Sequence, residues 1–336
     1  MRDVSYDLPE TAIAQRPIEP RDAARLLVDL GAERGVDHRH VRDLPDLLRS
    51  GDVLVVNDTK VLPARLALQR TSGGHVEVLL LERRNEGASR WAALVRPSRK
   101  IRDGEVVTDG LLEVRVGERL DDSGQREVEI LGDDPLGAIQ RHGALPLPPY
   151  ITETPDDPER YQTVYAARPA SAAAPTAGLH FTENLLAVLP ERGVTVARVE
   201  LVVGLDTFRP ISVEDPNDHV MHTEAYRVPP ETIEALANAK RIVAVGTTSA
   251  RALESFGATG KAVGRTNLFI QRPYSWKYVD VLMTNFHLPR TTLLLMIDAF
   301  IGPRWRDLYA TALANDYRFL SFGDAMLLER NRDLQG

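Results

Sequence analysis

The rhythm of apolar residues changes twice along this chain, near residue 66 and again near residue 145. Before the first change, Asp52–Asn57 is a short β-branched apolar run ending in turn chemistry, which predicts a buried strand. From Leu66 to about Ala144 the apolar runs are short and rich in β formers: His75–Glu82, Trp91–Val95, Leu111–Val116 and Arg126–Leu131. Gly, Asp and Ser clusters separate them. This predicts a small all-β unit, for which a barrel or a sandwich is the usual way to manage edges. Pro146, Pro148 and Pro149 then form a stiff exit.

After that exit, helical and strand patterns alternate. Thr182 is placed to cap a helix through Leu189, and Gly193 to end it. Residues 194–203 read as a strand. Pro229 and Pro230 open a helix to Lys240, then comes the strand Arg241–Val245 and a helix beginning at Thr247 or Thr248. Pro289 precedes another helix through Ala299. Such alternation argues for an α/β (or α+β) domain. The N-terminal segment, interrupted by the β unit, belongs with it. The expected organisation is a larger α/β domain of residues 1–65 and 146–336, with residues 66–145 inserted. The Ala/Ser run at 170–174 is too short to count as low complexity.

Composition narrows the chemistry. The 336 residues include no cysteine, which excludes disulfides, thiolate–zinc sites and a cysteine nucleophile. Met1–Ser5 begins no apolar run, so no signal peptide is expected. The longest apolar stretch, Leu293–Ile301, is too short to span a bilayer and contains Asp298. A cytoplasmic protein without a membrane partner is expected. The net charge of -7 argues weakly against a nucleic-acid partner, but a net count does not measure local potential. The best local basic run is Arg96, Arg99, Lys100 and Arg102, with Arg83 and Arg84 upstream. A solvated loop is the plain alternative for such a run.

The densest signal is Ser171–Phe181. Through Gly178 it has no side chain longer than proline, which suits close approach of backbone and ligand. It ends in His180 beside Phe181, and imidazole is the side chain matched to proton traffic near neutral pH. Histidines in polar motifs recur at His222, before Thr223 and Glu224, and at His287 in Asn285–Arg290. A lone histidine is more often structural than catalytic. His38, His40, His75, His142 and His219 lie in no such motif. The motif histidines lack the i, i+4 pairing of a metalloenzyme helix, so no metal site is expected. At Gly246–Arg251 a strand becomes a helix, and free N–H groups and hydroxyls there suit a carboxylate or phosphate. Plain N-capping by Thr247 or Thr248 explains the same residues equally well. No G-x-G-x-x-G or P-loop pattern is present, so a Rossmann methyltransferase or an NTPase has no support.

These motifs together resemble the S-adenosylmethionine:tRNA ribosyltransferase-isomerase family of queuosine biosynthesis. Tyr6–Pro9, Ile13–Pro17 and Glu19–Asp22 resemble its opening, and Asn57–Arg65 its next block. Leu145–Ile151, Arg160–Tyr165 and Ser171–Phe181 follow, then Gly204–Pro210, Met221–Glu224, Val245–Ser249, Thr284–Arg290, Tyr317–Phe319 and Gly323–Leu327, in family order. The resemblance implies a discontinuous α/β domain with an inserted small β-barrel. It also implies a reaction in which the ribosyl part of S-adenosylmethionine moves to a 7-aminomethyl-7-deazaguanine at the tRNA wobble position. The sugar becomes an epoxycyclopentanediol while adenine and methionine leave. S-adenosylmethionine is then a consumed substrate, and no cofactor is expected. A monomer is expected, a dimer being the alternative.

Carried onto this chain, the resemblance implies His180, Glu224, His287 and His222 for catalysis. For substrate binding it implies Pro175, Thr176, Gly178, Arg209, Thr247, Thr248, Ser249, Arg251, Asn285 and Arg290. Arg251 would partner the methionine carboxylate, and Arg96, Arg99, Lys100 and Arg102 would contact tRNA phosphates. Asp206 and Asp280 are further carboxylates, and Phe208 and Phe286 further aromatics, for which solvation and packing are the plainer roles. The chain departs from the family at Val202, where a histidine is common, and at Asp206, where glycine is usual. Lys60 replaces a usual arginine, and Ala170 and Ala172 replace parts of a Gly-Ser-Val opening. Val202 and Asp206 motivate the alternative of a tRNA-binding protein without catalysis; an ordinary methyltransferase is the third reading.

Overall fold

The computed structural model describes residues 4–31, 35–120, 124–153, 155, 157–171, 173–204, 211, 213, 215–219, 221 and 223–334, with Ala170 described in its backbone alone. Val202 and Lys60 fall inside these ranges. Arg209, His222, Asp206, Phe208 and Ala172 lie outside the described residues.

Seventeen strands are described: β1 Arg25–Asp29, β2 Asp37–His40, β3 Asp52–Asn57, β4 Thr59–Val61, β5 Arg65–Arg70, β6 His75–Arg83, β7 Arg90–Arg96, β8 Glu105–Thr108, β9 Glu113–Arg119, β10 Gln125–Ile130, β11 Arg168–Ser171, β12 Thr195–Leu201, β13 Glu224–Arg227, β14 Arg241–Val245, β15 Val263–Thr266, β16 Val281–Asn285 and β17 Ala325–Glu329. The helices are α1 Leu44–Leu47, α2 Pro135–His142, α3 Glu183–Val188, α4 Pro230–Ala237, α5 Gly246–Thr259, α6 Thr292–Ile301 and α7 Trp305–Ala314. They divide into two compact units. One comprises residues 1–59, 149–167 and 175–336, the other residues 60–148 and 168–174.

The first unit is built on a nine-stranded mixed sheet in the order β15-β13-β12-β3-β14-β16-β17-β1-β2. Its centre, β12-β3-β14-β16, is parallel. β3 is buried at every position, as a strand covered on both faces must be. Leu54 and Val56 join Val243, Val245, Met283 and Leu327 in a core closed by Phe181, Leu185 and Leu189. Arg241 pairs with Asp52 in both sequence register and charge, Nε to Oδ1 at 3.0 Å, at the end of the sheet where β3 and β14 begin. Removing one partner of so buried a pair costs about 3–5 kcal/mol. Thr182 caps α3 through the Leu185 N–H, and Gly193, at φ 73°, ends the turn after it. α4 stops at Ala237, three residues short of the helix expected to reach Lys240, and α5 begins at Gly246 rather than at a threonine.

The second unit is a closed barrel, β10-β7-β6-β5-β8-β9, with β4 and β11 paired beside it. Inward positions alternate: Leu66 and Leu68 on β5, Val114 and Val116 on β9, Val128 and Ile130 on β10. β7 has apolar residues buried on both faces, Trp91–Val95. Among the described residues no helix is long and apolar enough to cross a membrane.

Candidate functional site

The parallel strands of the first unit all end at one edge of the sheet, at Leu201, Asn57, Val245 and Asn285. β17 runs the other way, so Asp324 and Ala325 begin at that edge, opposite Asn285. Ligands of open α/β sheets collect at such carboxyl ends, where loops carry chemistry and the sheet holds them still.

A pocket opens at this edge, lined by both apolar and polar side chains. Leu268, Phe269, Ile270, Leu293 and Met296 are among its apolar walls, and Thr247, Thr248, Thr292, Glu224 and Arg251 supply its polar side. Thr247 and Thr248 are the first turn of α5, whose N-terminus carries no side-chain cap. The buried Thr248 hydroxyl has no hydrogen-bond partner among the described residues. Uncapped amides at a helix start favour an anion. Ser249, expected among them, instead donates back to the Val245 carbonyl oxygen at 2.7 Å and is fully buried.

Glu224 and Arg251 form a buried ion pair in this pocket, through Oε2 and Nη1. Arg251 also donates to the carbonyls of Leu268 (3.0 Å) and Thr266 (3.3 Å). Its guanidinium is therefore tied to protein groups rather than presented whole to a ligand. Burial lowers its pKa, against Glu224, which raises it. The second carboxylate oxygen of Glu224 faces the Gly204 N–H at 3.4 Å.

The small-residue loop is tight because protein fills the space around it. A Cβ at Gly178 would sit 1.9 Å from the Tyr165 hydroxyl oxygen, so only glycine fits there. A Cβ at Gly246 would come within 3.6 Å of Ala177, which sets this loop against the start of α5. Thr176 donates to Asn285 Oδ1 at 2.9 Å, and Asn285 Nδ2 donates to the Leu320 carbonyl at 3.1 Å. Arg21 holds the loop from outside, donating to Gln162 O and Leu179 O at 2.8 and 3.2 Å. Pro175 and Gly178 are buried. At Gly178 the close approach expected for a ligand is made by Tyr165.

His180 is buried, with Nδ1 3.0 Å from Ala177 O and Nε2 2.8 Å from Gly323 O. Burial pulls its pKa below the ordinary histidine value, although the two carbonyls and Asp324 favour the cation. Both nitrogens are engaged with backbone, the arrangement of a histidine that fixes a loop. His287 is different. Its Nε2 lies 2.9 Å from Thr284 Oγ1, and no described group bonds Nδ1. Burial holds it neutral, its pKa pushed down to about 3. Its peptide is gripped from both sides: Tyr6 donates to its carbonyl at 2.5 Å, and its N–H donates to the Tyr309 hydroxyl at 3.0 Å. Three residues on, Arg290 has a left-handed backbone (φ 59°) held by the Val4 carbonyl and the Ile211 N–H. Its guanidinium is exposed and has no described ion-pair partner.

In the barrel unit, Arg96 ends β7, and Arg99 and Lys100 lie in the turn Ser98–Lys100, with Arg102 following. All four are exposed. Of the other candidates, Asp280 accepts from Ile242 N–H and Arg330, and Phe286 stacks on Phe319 at 4.6 Å between ring centroids. Both serve the packing of the first unit. The pocket walls Leu268–Ile270 and Met296 had no signal in the sequence, because apolar residues in a loop and a helix read as ordinary core. Tyr6 could have been found, since it opens the first motif block.

A family model described as queuosine biosynthesis protein matches residues 1–328. A protein from Rubrobacter xylanophilus named S-adenosylmethionine:tRNA ribosyltransferase-isomerase is 50% identical over 330 residues, covering 97% of this chain and 96% of its own. One of the same name from Symbiobacterium thermophilum is 49% identical over 346 residues, with 98% and 99% covered. Among solved structures, the crystal structure of an S-adenosylmethionine tRNA ribosyltransferase from Thermotoga maritima is similar at a TM-score of 0.56 and 37% identity, covering 97% of this chain and 99% of that one. With motifs in order along both units and relatives matched over nearly their full length, this chain belongs to the S-adenosylmethionine:tRNA ribosyltransferase-isomerase family of queuosine biosynthesis enzymes.

Proposed function

We propose that this enzyme moves the ribosyl part of S-adenosylmethionine onto the aminomethyl group of 7-aminomethyl-7-deazaguanine at the tRNA wobble position. The products are epoxyqueuosine-tRNA, adenine and methionine. The observation that carries this reading beyond family membership is the α5 pocket, which offers a different group to each part of the donor. The uncapped α5 start and the Thr248 hydroxyl suit the methionine carboxylate. Glu224 supplies an anion for the sulfonium, and the apolar walls suit an adenine face.

The chemistry requires a base for the C5′ proton, which the adjacent sulfonium acidifies, and an acid for departing adenine. Methionine then leaves as a neutral thioether, taking the electron pair of the broken C–S bond. Glu224 is our candidate for the base. His287, neutral and with Nδ1 unengaged by described groups, accepts or relays a proton. Arg290 presents an exposed cation at the same sheet edge. His180, Pro175, Thr176, Gly178 and Asn285 hold the loop that backs this edge. In the barrel unit, Arg96, Arg99, Lys100 and Arg102 contact tRNA phosphates.

Product analysis tests the reading. Incubation with S-adenosylmethionine and tRNA carrying the aminomethyl base is expected to release adenine and methionine together. S-adenosylhomocysteine would mean methyl transfer. Release of neither, with tRNA still bound, would leave the non-catalytic reading raised by Val202 and Asp206.

A further inference from the structure

Arg126 occupies an inward position of β10, in line with Val128 and Ile130, where a barrel ordinarily places an apolar side chain. Its side chain is 0% exposed. All five of its N–H groups find acceptors. Nε and Nη2 donate to the Gly117 carbonyl oxygen at 2.8 and 2.5 Å, and Nη1 to the carbonyls of Ser98 and Ile101 at 3.1 and 3.0 Å. Nη2 also donates to Asp103 at 2.5 Å. The ladder between β9 and β10 shifts register between Arg126 and Val128, opposite Gly117. Such irregularities re-aim side chains at the rims of barrels.

The consequence lies in the loop that Arg126 holds. By taking the carbonyls of residues 98 and 101, it fixes the backbone on which Arg99, Lys100 and Arg102 stand, and Arg96 ends the strand leading in. None of these four exposed cations makes an ion pair among the described residues. The described acids nearby are already committed. Asp103 is bonded to Arg126, and Glu105 accepts both Arg70 Nε (2.7 Å) and Arg70 Nη2 (3.1 Å) together with the Arg102 N–H. Asp121 and Asp122 lie outside the described residues. A buried cation is costly, and hydrophobic replacements of buried charges are often as stable. Here three of its five bonds, to Ser98, Ile101 and Asp103, hold one exposed basic turn, and the other two tie it to Gly117 on β9.

We infer that Arg126 is the positioning residue of a preorganised loop that binds the phosphodiester backbone of RNA through Arg96, Arg99, Lys100 and Arg102. The inference rests on the reading that this chain acts on tRNA, and gives that contact a rigid geometry rather than a diffuse charge. The partner is a polyanion with regularly spaced phosphates, not a single small anion.

A double-mutant cycle tests it, read as the affinity for an unmodified tRNA transcript across salt concentrations. The quadruple variant with Gln at residues 96, 99, 100 and 102 should lose about 0.7–0.9 of the log–log salt slope for each contact removed. Arg126→Lys keeps the charge but loses the planar fork. It should weaken tRNA binding roughly tenfold and lower the slope by about one contact's worth. Added to the quadruple variant, it should change affinity less than about twofold, because the cations it positions are gone. An equal loss in both backgrounds, or a quadruple variant with the wild-type slope, overturns the inference. If Arg126→Lys does not melt cooperatively, Asp103→Ala removes one acceptor from an exposed position. It should weaken tRNA binding about threefold in the native background and not in the quadruple one; no change in the native background overturns the inference. Adenine release on the same proteins separates the two readings. Wild-type release with unaltered binding by the quadruple variant removes only the loop. No wild-type release removes the reaction, and the binding cycle still decides the loop.

Discussion

His180 Nε2 lies 2.8 Å from the carbonyl oxygen of Gly323, across 143 residues of sequence, while Nδ1 lies 3.0 Å from Ala177 O. A neutral imidazole donates one such bond, and only the cation donates both. The geometry ties the Thr176–His180 turn to the loop entering β17. His180→Asn, which can keep one bond, is expected to lower stability by about 1–2 kcal/mol. Turnover at saturating S-adenosylmethionine should stay within about tenfold of wild type. A loss of a hundredfold or more at unchanged melting temperature would restore the proton-transfer role.

The neutral state of His287 sets a pH dependence. Its folded pKa is about 3, against 6.5 for an ordinary histidine. Between those values the unfolded chain binds a proton that the folded chain does not, so folding weakens as pH falls through that window. The stability it contributes is complete above about pH 6.5 and declines toward pH 3. His287→Gln should flatten this limb of a melting-temperature profile, leaving the carboxylates to shape the rest. An unaltered limb would show that His287 titrates as an ordinary exposed histidine.

Gly178 and Tyr165 compete for one space. A Cβ at residue 178 would lie 1.9 Å from the Tyr165 hydroxyl oxygen, which is itself buried without a hydrogen-bond partner among the described residues. Gly178→Ala should destabilise by about 3 kcal/mol, the upper end for overpacking. Tyr165→Phe should be neutral or stabilising, because it removes an unsatisfied hydroxyl. The double variant should regain part of the loss in urea unfolding. Strict additivity would place the clash elsewhere.

Glu224 should matter most to a positively charged donor. Glu224→Gln keeps an oxygen for Arg251 but removes the charge. S-adenosylmethionine binding should weaken about tenfold, a charge effect of about 1.4 kcal/mol, while the uncharged thioether S-adenosylhomocysteine binds as before. Calorimetry on both ligands decides. Equal weakening of the two would mean that Glu224 shapes the pocket without facing the sulfonium. Glu224→Ala, which leaves Arg251 buried without its anion, should cost stability as well, about 3–5 kcal/mol.

Strong local patterns were legible where one segment decides its own state. Asp52–Asn57 became β3 and Arg241–Val245 became β14 because an unbroken β-branched run has no better burial than the middle of a sheet. The helix caps at Thr182 and Gly193 are bonds between near neighbours, so they too are written locally. Strands such as β8, β13 and β15 were not foreseen. They are four residues long, and their pairing partners, not their composition, make them strands.

By itself, then, the sequence determined the family, the α/β alternation, the β-rich insert and the small set of polar motifs that hold any chemistry. Those are properties of residue order, and motif order survives without knowing a single contact. Tertiary structure alone decided which motif residues face a pocket and which are spent on backbone. The imidazole of His180 is anchored at both nitrogens and that of His287 at one, because each has a partner three residues back but only His180 meets a carbonyl, that of Gly323, from a distant segment. Arg126 makes the same point in reverse. The sequence placed it only in the β-rich run Arg126–Leu131, and an arginine can occupy a barrel interior only when carbonyls from Ser98, Ile101 and Gly117 converge on it. That convergence depends on chain closure, which no local pattern encodes.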